Sequence, residues 1–191
     1  MRITGGDARG IPLVLPRGDA VRPATDALRQ AVFSSLGALV PGTRFLDLFA
    51  GSGAYGLEAL SRGAAGGVFV EKNSRTAEFI RRNIAAVCKS LARDAHELDV
   101  LTMDALTAPL ELGGTPDLVF VDPPYEAIGT VAPVLFPRLD ALRRAKPDLI
   151  VVFEMPGGTE LQPGGWTCVK RLGHGARQPT AGVFRASRAA T

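Results

Sequence analysis

The chain has 191 residues, 46% of them hydrophobic and 21% charged, with a formal net charge of +3. That length suits one domain, or one domain with a small appendage, and supplies a sizeable core. The composition excludes a fibrous or disordered chain, and no apolar run approaches the length of a membrane span.

The N-terminal "MRITGGDARG" lacks the apolar centre of a secretory signal, so a cytoplasmic protein is expected. Cys88 and Cys168 have no metal-type spacing and are read as thiols in a reducing compartment, and no metal site is expected. The charge is unevenly spread. Residues 164–191 carry Lys170, Arg171, Arg177, Arg185 and Arg188 and no acid, and Arg2, Arg9, Arg17, Arg22 and Arg29 crowd the start. Two basic ends suit a polyanionic partner through phosphate contacts; the alternative is a plain solvated surface, which charge alone favours.

In chain order, Arg2–Thr4 and Ile11–Leu15 read as two short strands around a Gly-rich turn. A helix follows, with Thr25 or Asp26 as N-cap and with Ala27, Leu28, Ala31, Val32, Ser35, Leu36 and Leu39 at helical spacing. From residue 43 apolar strands alternate with helices. "RFLDLF" is a strand with its helix over Ala54–Arg62, and "GGVFVE" is a strand with its helix over Ser74–Leu91. "ELDVLT" and "PDLVFVD" are the next strands, Ala127–Leu142 is helical, and "DLIVVFE" is a fifth strand. "TCVKRL" and "TAGVFRAS" form a closing antiparallel hairpin. Such alternation implies an α/β fold with a mostly parallel sheet covered on both faces, whose ligands bind beyond the carboxyl ends of the strands.

"FAGSGAYG" supplies Gly51, Gly53 and Gly56 between a strand and a helix, a pattern shared by dinucleotide-binding and methyl-donor-binding folds. Glu71, at the end of the second strand, fits a ribose-hydroxyl acceptor in either case. Asp47 separates the two. A carboxylate beside the loop opposes a pyrophosphate but welcomes the ammonium and sulfonium of S-adenosylmethionine. Asp104, after the third strand, is expected to accept from the adenine amino group.

The stretch "VDPPY" ends the fourth strand, because proline cannot donate to a sheet ladder. Asp122, Pro123, Pro124 and Tyr125 make a corner rich in acceptors. An exocyclic amino group on a nucleobase is a poor nucleophile, since its lone pair is delocalised into the ring. Acceptors for both its hydrogens, Asp122 and the Pro123 carbonyl, would twist the nitrogen toward tetrahedral geometry, while Tyr125 stacks on the base. Such catalysis is positioning and electrostatics, with no strong general base. Trp166 is read as a packing residue, and His96 and His174 as surface residues.

The stretches "RPATDALRQAVFSSL", "LDLFAGSGAYGLEALSRGA", "VFVEKN" and "DLVFVDPPY" occur in an order and spacing that resemble the bacterial 16S rRNA (guanine-N2) methyltransferases. The resemblance covers roughly residues 1–155. It implies a Rossmann-like class I S-adenosylmethionine-dependent fold and an rRNA or partly assembled small-subunit substrate. Residues 1–40 would form an RNA-facing hairpin and helix extension, and residues 41–191 the methyltransferase domain. The site it implies adds Phe49, Ala50, Lys72 and Ala105 to the donor residues, and gives Arg9, Arg22, Thr25 and Arg29 to RNA. A monomer is expected. Ala24, Gln30 and Ser34 stand where the family usually has Thr, Glu and Asn, and the C-terminal hairpin follows its pattern only loosely. Three other readings remain open: an adenine-N6 or protein-amide methyltransferase, a nicotinamide oxidoreductase, and a non-catalytic RNA-binding protein.

Overall fold

The first apolar run after residue 40, β1 (Arg44–Leu48), is a central strand, and it takes parallel neighbours on both sides. On one side lie β2 (Gly66–Glu71) and β3 (Leu98–Thr102); on the other lie β4 (Leu118–Val121) and β5 (Ile150–Pro156). The hairpin of β6 (Trp166–Leu172) and β7 (Pro179–Ala186) closes the sheet through its second strand, giving the order β3-β2-β1-β4-β5-β7-β6. In this computed structural model residues 1–15, 23–176 and 178–187 are described, residues 23–25 by their backbone alone.

Strand alternation divides the core in two. Phe45, Phe69, Phe120 and Val152 face α1 (Pro23–Leu36), α2 (Ala54–Ser61) and α3 (Ser74–Ser90). Leu46, Val70, Val121 and Phe153 face α4 (Ile128–Ala145). Burial on both faces is why these strands read as continuous apolar runs.

The N-terminal segment departs from expectation in three ways. The expected pair of short strands is a single bridge, Arg2 to Pro12, with Ile3 N–H donating to the Ile11 carbonyl at 3.0 Å. The helix begins at Pro23, ahead of the expected caps, since proline suits the first helical position. Asp26 sits inside its first turn, where it pairs with Arg29. The buried stripe is Leu28, Arg29, Val32, Phe33 and Leu36, while Leu39 is 48% exposed. The expected stripe omitted a charged residue, and so it was set one position off.

That charge is held by Glu58 of α2, which is 0% exposed against 2% for Arg29. Glu58 accepts from Arg29 Nε at 3.2 Å, from the Thr4 N–H at 2.8 Å and from Thr4 Oγ1 at 2.7 Å, and it pairs with Arg62 at 2.9 Å. Ile3, Ala8 and Leu13 join the same cluster as Phe45 and Phe120. Residues 1–15 are therefore wedged into the main core. Removing the carboxylate would leave the buried guanidinium only Asp26 and the Arg2 carbonyl, so Glu58→Ala should cost about 3–5 kcal/mol of unfolding free energy. Urea denaturation measures it, with Arg62→Ala, at the exposed edge of the cluster, expected to cost far less.

Candidate functional site

Strand order reverses between β1 and β4, and the carboxyl ends of these strands open into a cleft of about 1180 Å³. The turn after β1 is held in an uncommon backbone conformation, with φ of 60° at Phe49 and 54° at Gly51. Gly51 N–H donates to Glu71 Oε2 at 3.0 Å, and Asn73 N–H donates to Oε1 at 2.7 Å. Glu71 thus ties the loop after β1 to the loop after β2, and its oxygens keep further acceptor capacity.

The three glycines divide by role. Gly51 lines the cleft with Phe49 and Ala50, whereas Gly53 and Gly56 do not. Gly53 is the N-cap of α2 at a φ of 78°. A Cβ on Gly56 would meet ring atoms of Phe69 and Phe45 at 2.4 and 2.5 Å. The third glycine lets helix and strand approach closely, so its expected ligand contact is replaced by a packing role.

Asp47 is 1% exposed, and its Oδ2 accepts the Gly56 N–H at 2.9 Å, satisfying one of the orphan donors of α2. Among the described residues nothing donates to Oδ1. Burial lifts the Asp47 pKa from 3.8 to about 8, with the Gly56 hydrogen bond and Arg29 opposing and Glu71 adding to the rise. Asp104 Oδ1 accepts the Leu106 N–H at 2.8 Å, and Lys72, 80% exposed, lies 3.6 Å from its other oxygen. Ala105 is buried and lines the cleft. All these acids line the one cleft, which suits a cationic ligand and opposes a phosphate.

Asp122 follows β4, its N–H still reaching the Leu48 carbonyl at 3.4 Å. Burial pushes its pKa well above the carboxylate range, and the Glu154 and Asp47 charges push it further. Pro123 is buried, Pro124 is exposed and accepts the Ala127 N–H at 2.9 Å, and Tyr125 is half-buried in a short 3-10 turn. Among the described residues no N–H or O–H donates to the Pro123 carbonyl. The corner and the glycine loop therefore open on one cavity.

Reading the sequence missed the residues behind this corner. Glu154, at the end of β5, is 4% exposed and lines the cleft. Tyr55 Oη donates to its Oε2 at 2.8 Å, and Tyr125 Oη lies 3.4 Å from Oε1. Burial raises its pKa, with both tyrosines and Arg29 opposing. The available signal was an acid closing the apolar run "DLIVVFE", one register step beyond the pairing of Val121 with Phe153.

Of the residues expected to meet RNA, Arg9 and Arg29 have described side chains. Arg29 is a correction: it is buried, donating to Glu58, to Asp26 at 2.9 Å and to the Arg2 carbonyl at 2.5 Å, so its guanidinium cannot grip a phosphate. It reaches the wall of the cleft instead. Arg9 is exposed beside Gln30 at a smaller groove. Arg22 lies outside the described residues, as does the side chain of Thr25.

Residues 1–180 match the family model described as "Conserved hypothetical protein 95". The chain belongs to that family. It is 30% identical over 161 residues to "Putative rRNA methyltransferase YlbH" of Bacillus subtilis (strain 168), covering 84% of this chain and 85% of the relative. It is 38% identical over 125 residues to "Ribosomal RNA small subunit methyltransferase D" of Escherichia coli (strain K12), spanning 65% of this chain and 60% of that protein's length. The structure of "Putative methyltransferase yhhF" from Escherichia coli superposes with a TM-score of 0.73 at 30% identity, covering 97% of each chain. The fold is the Rossmann-like class I methyltransferase fold, its mostly parallel sheet closed by an antiparallel hairpin.

Because Asp47 binds a proton more tightly when folded, its contribution is fully present below the ordinary carboxylate pKa. It is lost as pH rises through about 8. Asp122 and Glu154 shift in the same direction. Unfolding free energy of the ligand-free protein should therefore fall between about pH 4 and about pH 8, and Asp47→Asn should flatten that fall. Urea titrations of both proteins across that range measure the difference, and identical slopes would contradict a neutral Asp47.

Proposed function

We propose that the chain is an S-adenosylmethionine-dependent methyltransferase that modifies the exocyclic N2 of a guanine in small-subunit rRNA. The observation that carries this reading is the shared cleft, in which the acceptor-rich Asp122-Pro123-Pro124-Tyr125 corner meets the glycine loop and its acids. The donor set fits the ligand: Asp47 keeps an unused oxygen for a cation, Glu71 keeps lone pairs for ribose hydroxyls, and Asp104 closes the far end. Phe49, Ala50, Gly51, Lys72 and Ala105 would complete that half. When bound, S-adenosylmethionine supplies a methyl group on an electron-poor sulfonium.

The rest falls to the chain's own residues. Asp122 and the Pro123 carbonyl accept from the two N2 hydrogens and release the lone pair from the ring. Tyr125 stacks on a base splayed out of the RNA. N2 becomes acidic as it acquires the methyl group, so its proton leaves to solvent without a strong general base. Residues 1–40 contribute the RNA-facing side through Arg9, Arg22 and Thr25. The substrate is rRNA, free or in a partly assembled subunit, met by a monomer in the cytoplasm. No helix among the described residues is long and apolar enough to cross a membrane.

Mapping label from methyl-labelled donor onto rRNA of a strain lacking the gene tests the reading. Label on a guanine N2 is expected, and label on adenine or protein alone would refute it. Asp122→Ala should lower single-turnover transfer by roughly 10²–10³, about 2.7–4 kcal/mol, as for loss of a transition-state hydrogen-bond partner. Glu71→Ala should instead weaken calorimetric donor binding by about 1–3 kcal/mol, as charge-assisted hydrogen bonds do. Equal effects of both variants on both measurements would break the division of the cleft into donor and acceptor halves.

A further inference from the structure

We infer that Glu154 is the specificity-determining carboxylate of the acceptor site, accepting from the ring N1–H of the target guanine beside the N2 held by Asp122 and Pro123. The inference rests on the proposed guanine-N2 reading and adds to it a residue for choosing the base. Three observations carry it: register, rigidity and acceptor capacity.

Val121 of β4 pairs with Phe153 of β5, so Asp122 and Glu154 are the next aligned positions on neighbouring parallel strands. Aligned residues of adjacent strands project on the same side and stand roughly 4.8 Å apart. On guanine, the N1–H and the nearer N2–H are likewise adjacent and parallel, both donors. Two neighbouring carboxyl groups at one cleft match two neighbouring donors on one base edge.

Glu154 is also held still. Tyr55 Oη donates to Oε2 at 2.8 Å, and the Tyr55 ring stacks on Phe120 at 5.3 Å between centroids. The other oxygen, Oε1, meets Tyr125 Oη at 3.4 Å, a long contact that leaves its lone pairs available for a shorter bond. Burial raises the pKa of both carboxyl groups; the Tyr55 and Tyr125 hydroxyls and Arg29 oppose the rise at Glu154, whereas Glu154 and Asp47 add to it at Asp122.

Adenine carries a lone pair at N1, which would confront that carboxylate without a proton between them. 2-Aminopurine isolates the effect, since it keeps the N2 amino group and lacks only the N1–H and the carbonyl of guanine. A site built to hydrogen-bond an N–H rejects the analogue lacking it, because a buried acceptor is then left unpaired.

The test uses RNA spanning the mapped site, with guanosine or 2-aminopurine at the target, and the full chain as wild type or Glu154→Gln. Glutamine keeps an oxygen to accept from Tyr55 and turns its NH2 toward the base, where it donates to an N1 lone pair and opposes an N1–H. Wild type should prefer guanosine by on the order of 10- to 100-fold in single-turnover transfer, the range of one good base-edge contact. Glu154→Gln should shrink that preference to within a few-fold. Donor-free affinities for the two RNAs, read by fluorescence anisotropy, should converge in the same variant. A Glu154→Gln enzyme that slows on both RNAs alike, or that keeps the wild-type preference, would overturn the inference and leave Glu154 as an anchor for Tyr55. Wild type that methylates guanosine and 2-aminopurine equally would overturn it as well. No transfer to either RNA would remove the guanine-N2 reading itself, and the inference with it.

Discussion

A guanidinium buried to 2% exposure is the constraint around which this molecule is organised. Desolvating Arg29 is tolerable only because Glu58, Asp26 and the Arg2 carbonyl meet it from three different elements. Those partners are the helix of the glycine loop, the N-terminal helix and the N-terminal bridge. One side chain thereby fixes the segment before residue 40 against the loop that forms the cleft. Losing any of these contacts leaves the charge less compensated in a low-dielectric interior, so each helps hold the N-terminal segment against α2.

The same cation sets the electrostatics of the cleft. Asp47, Asp122 and Glu154 lie at the sheet end on the face covered by α1 and α2, and Arg29 is the positive group that bears on both Asp47 and Glu154. One cation already committed to Glu58 and Asp26 cannot neutralise three further acids. Protons fill the deficit, and the carboxyl groups shift upward as burial requires. A ligand bringing positive charge would replace those protons. The excess of acid is thus a standing preference for a cation, built from the same burial that makes it costly.

Much of this was legible in the residues alone. The inner strands β1, β2, β4 and β5 follow from apolar runs, because strands buried on both faces carry few polar residues. The loop, Asp47, Glu71 and the Asp-Pro-Pro-Tyr corner follow from local chemistry at strand ends. What escaped depends on distant pairing. Arg29 reads as a surface base until its partner, on a helix 29 positions away, is known. Glu154 reads as a strand-ending acid until β4 and β5 are aligned. Gly56 satisfies a ligand-loop pattern in sequence, yet the ring atoms of Phe45 and Phe69 dictate it. Helix caps failed for a nearer reason: a proline already suited to starting the helix outranks a side-chain cap three residues later.

The identity of the first residue of the corner gains a reason from its neighbour. An asparagine at 122 would mix a donor with an acceptor, and its amide could turn toward Glu154 and satisfy itself there. Aspartate carries no N–H to turn that way, and the proline that follows removes the next one. The resulting edge, Pro123 carbonyl, Asp122 and Glu154, carries no N–H, and it is held rigid by Tyr55 and the sheet. Such an edge is costly while the cleft is empty and best relieved by a partner offering several adjacent N–H groups. Among nucleobases, guanine alone presents two adjacent donor groups, an amino and a ring N–H, on one edge.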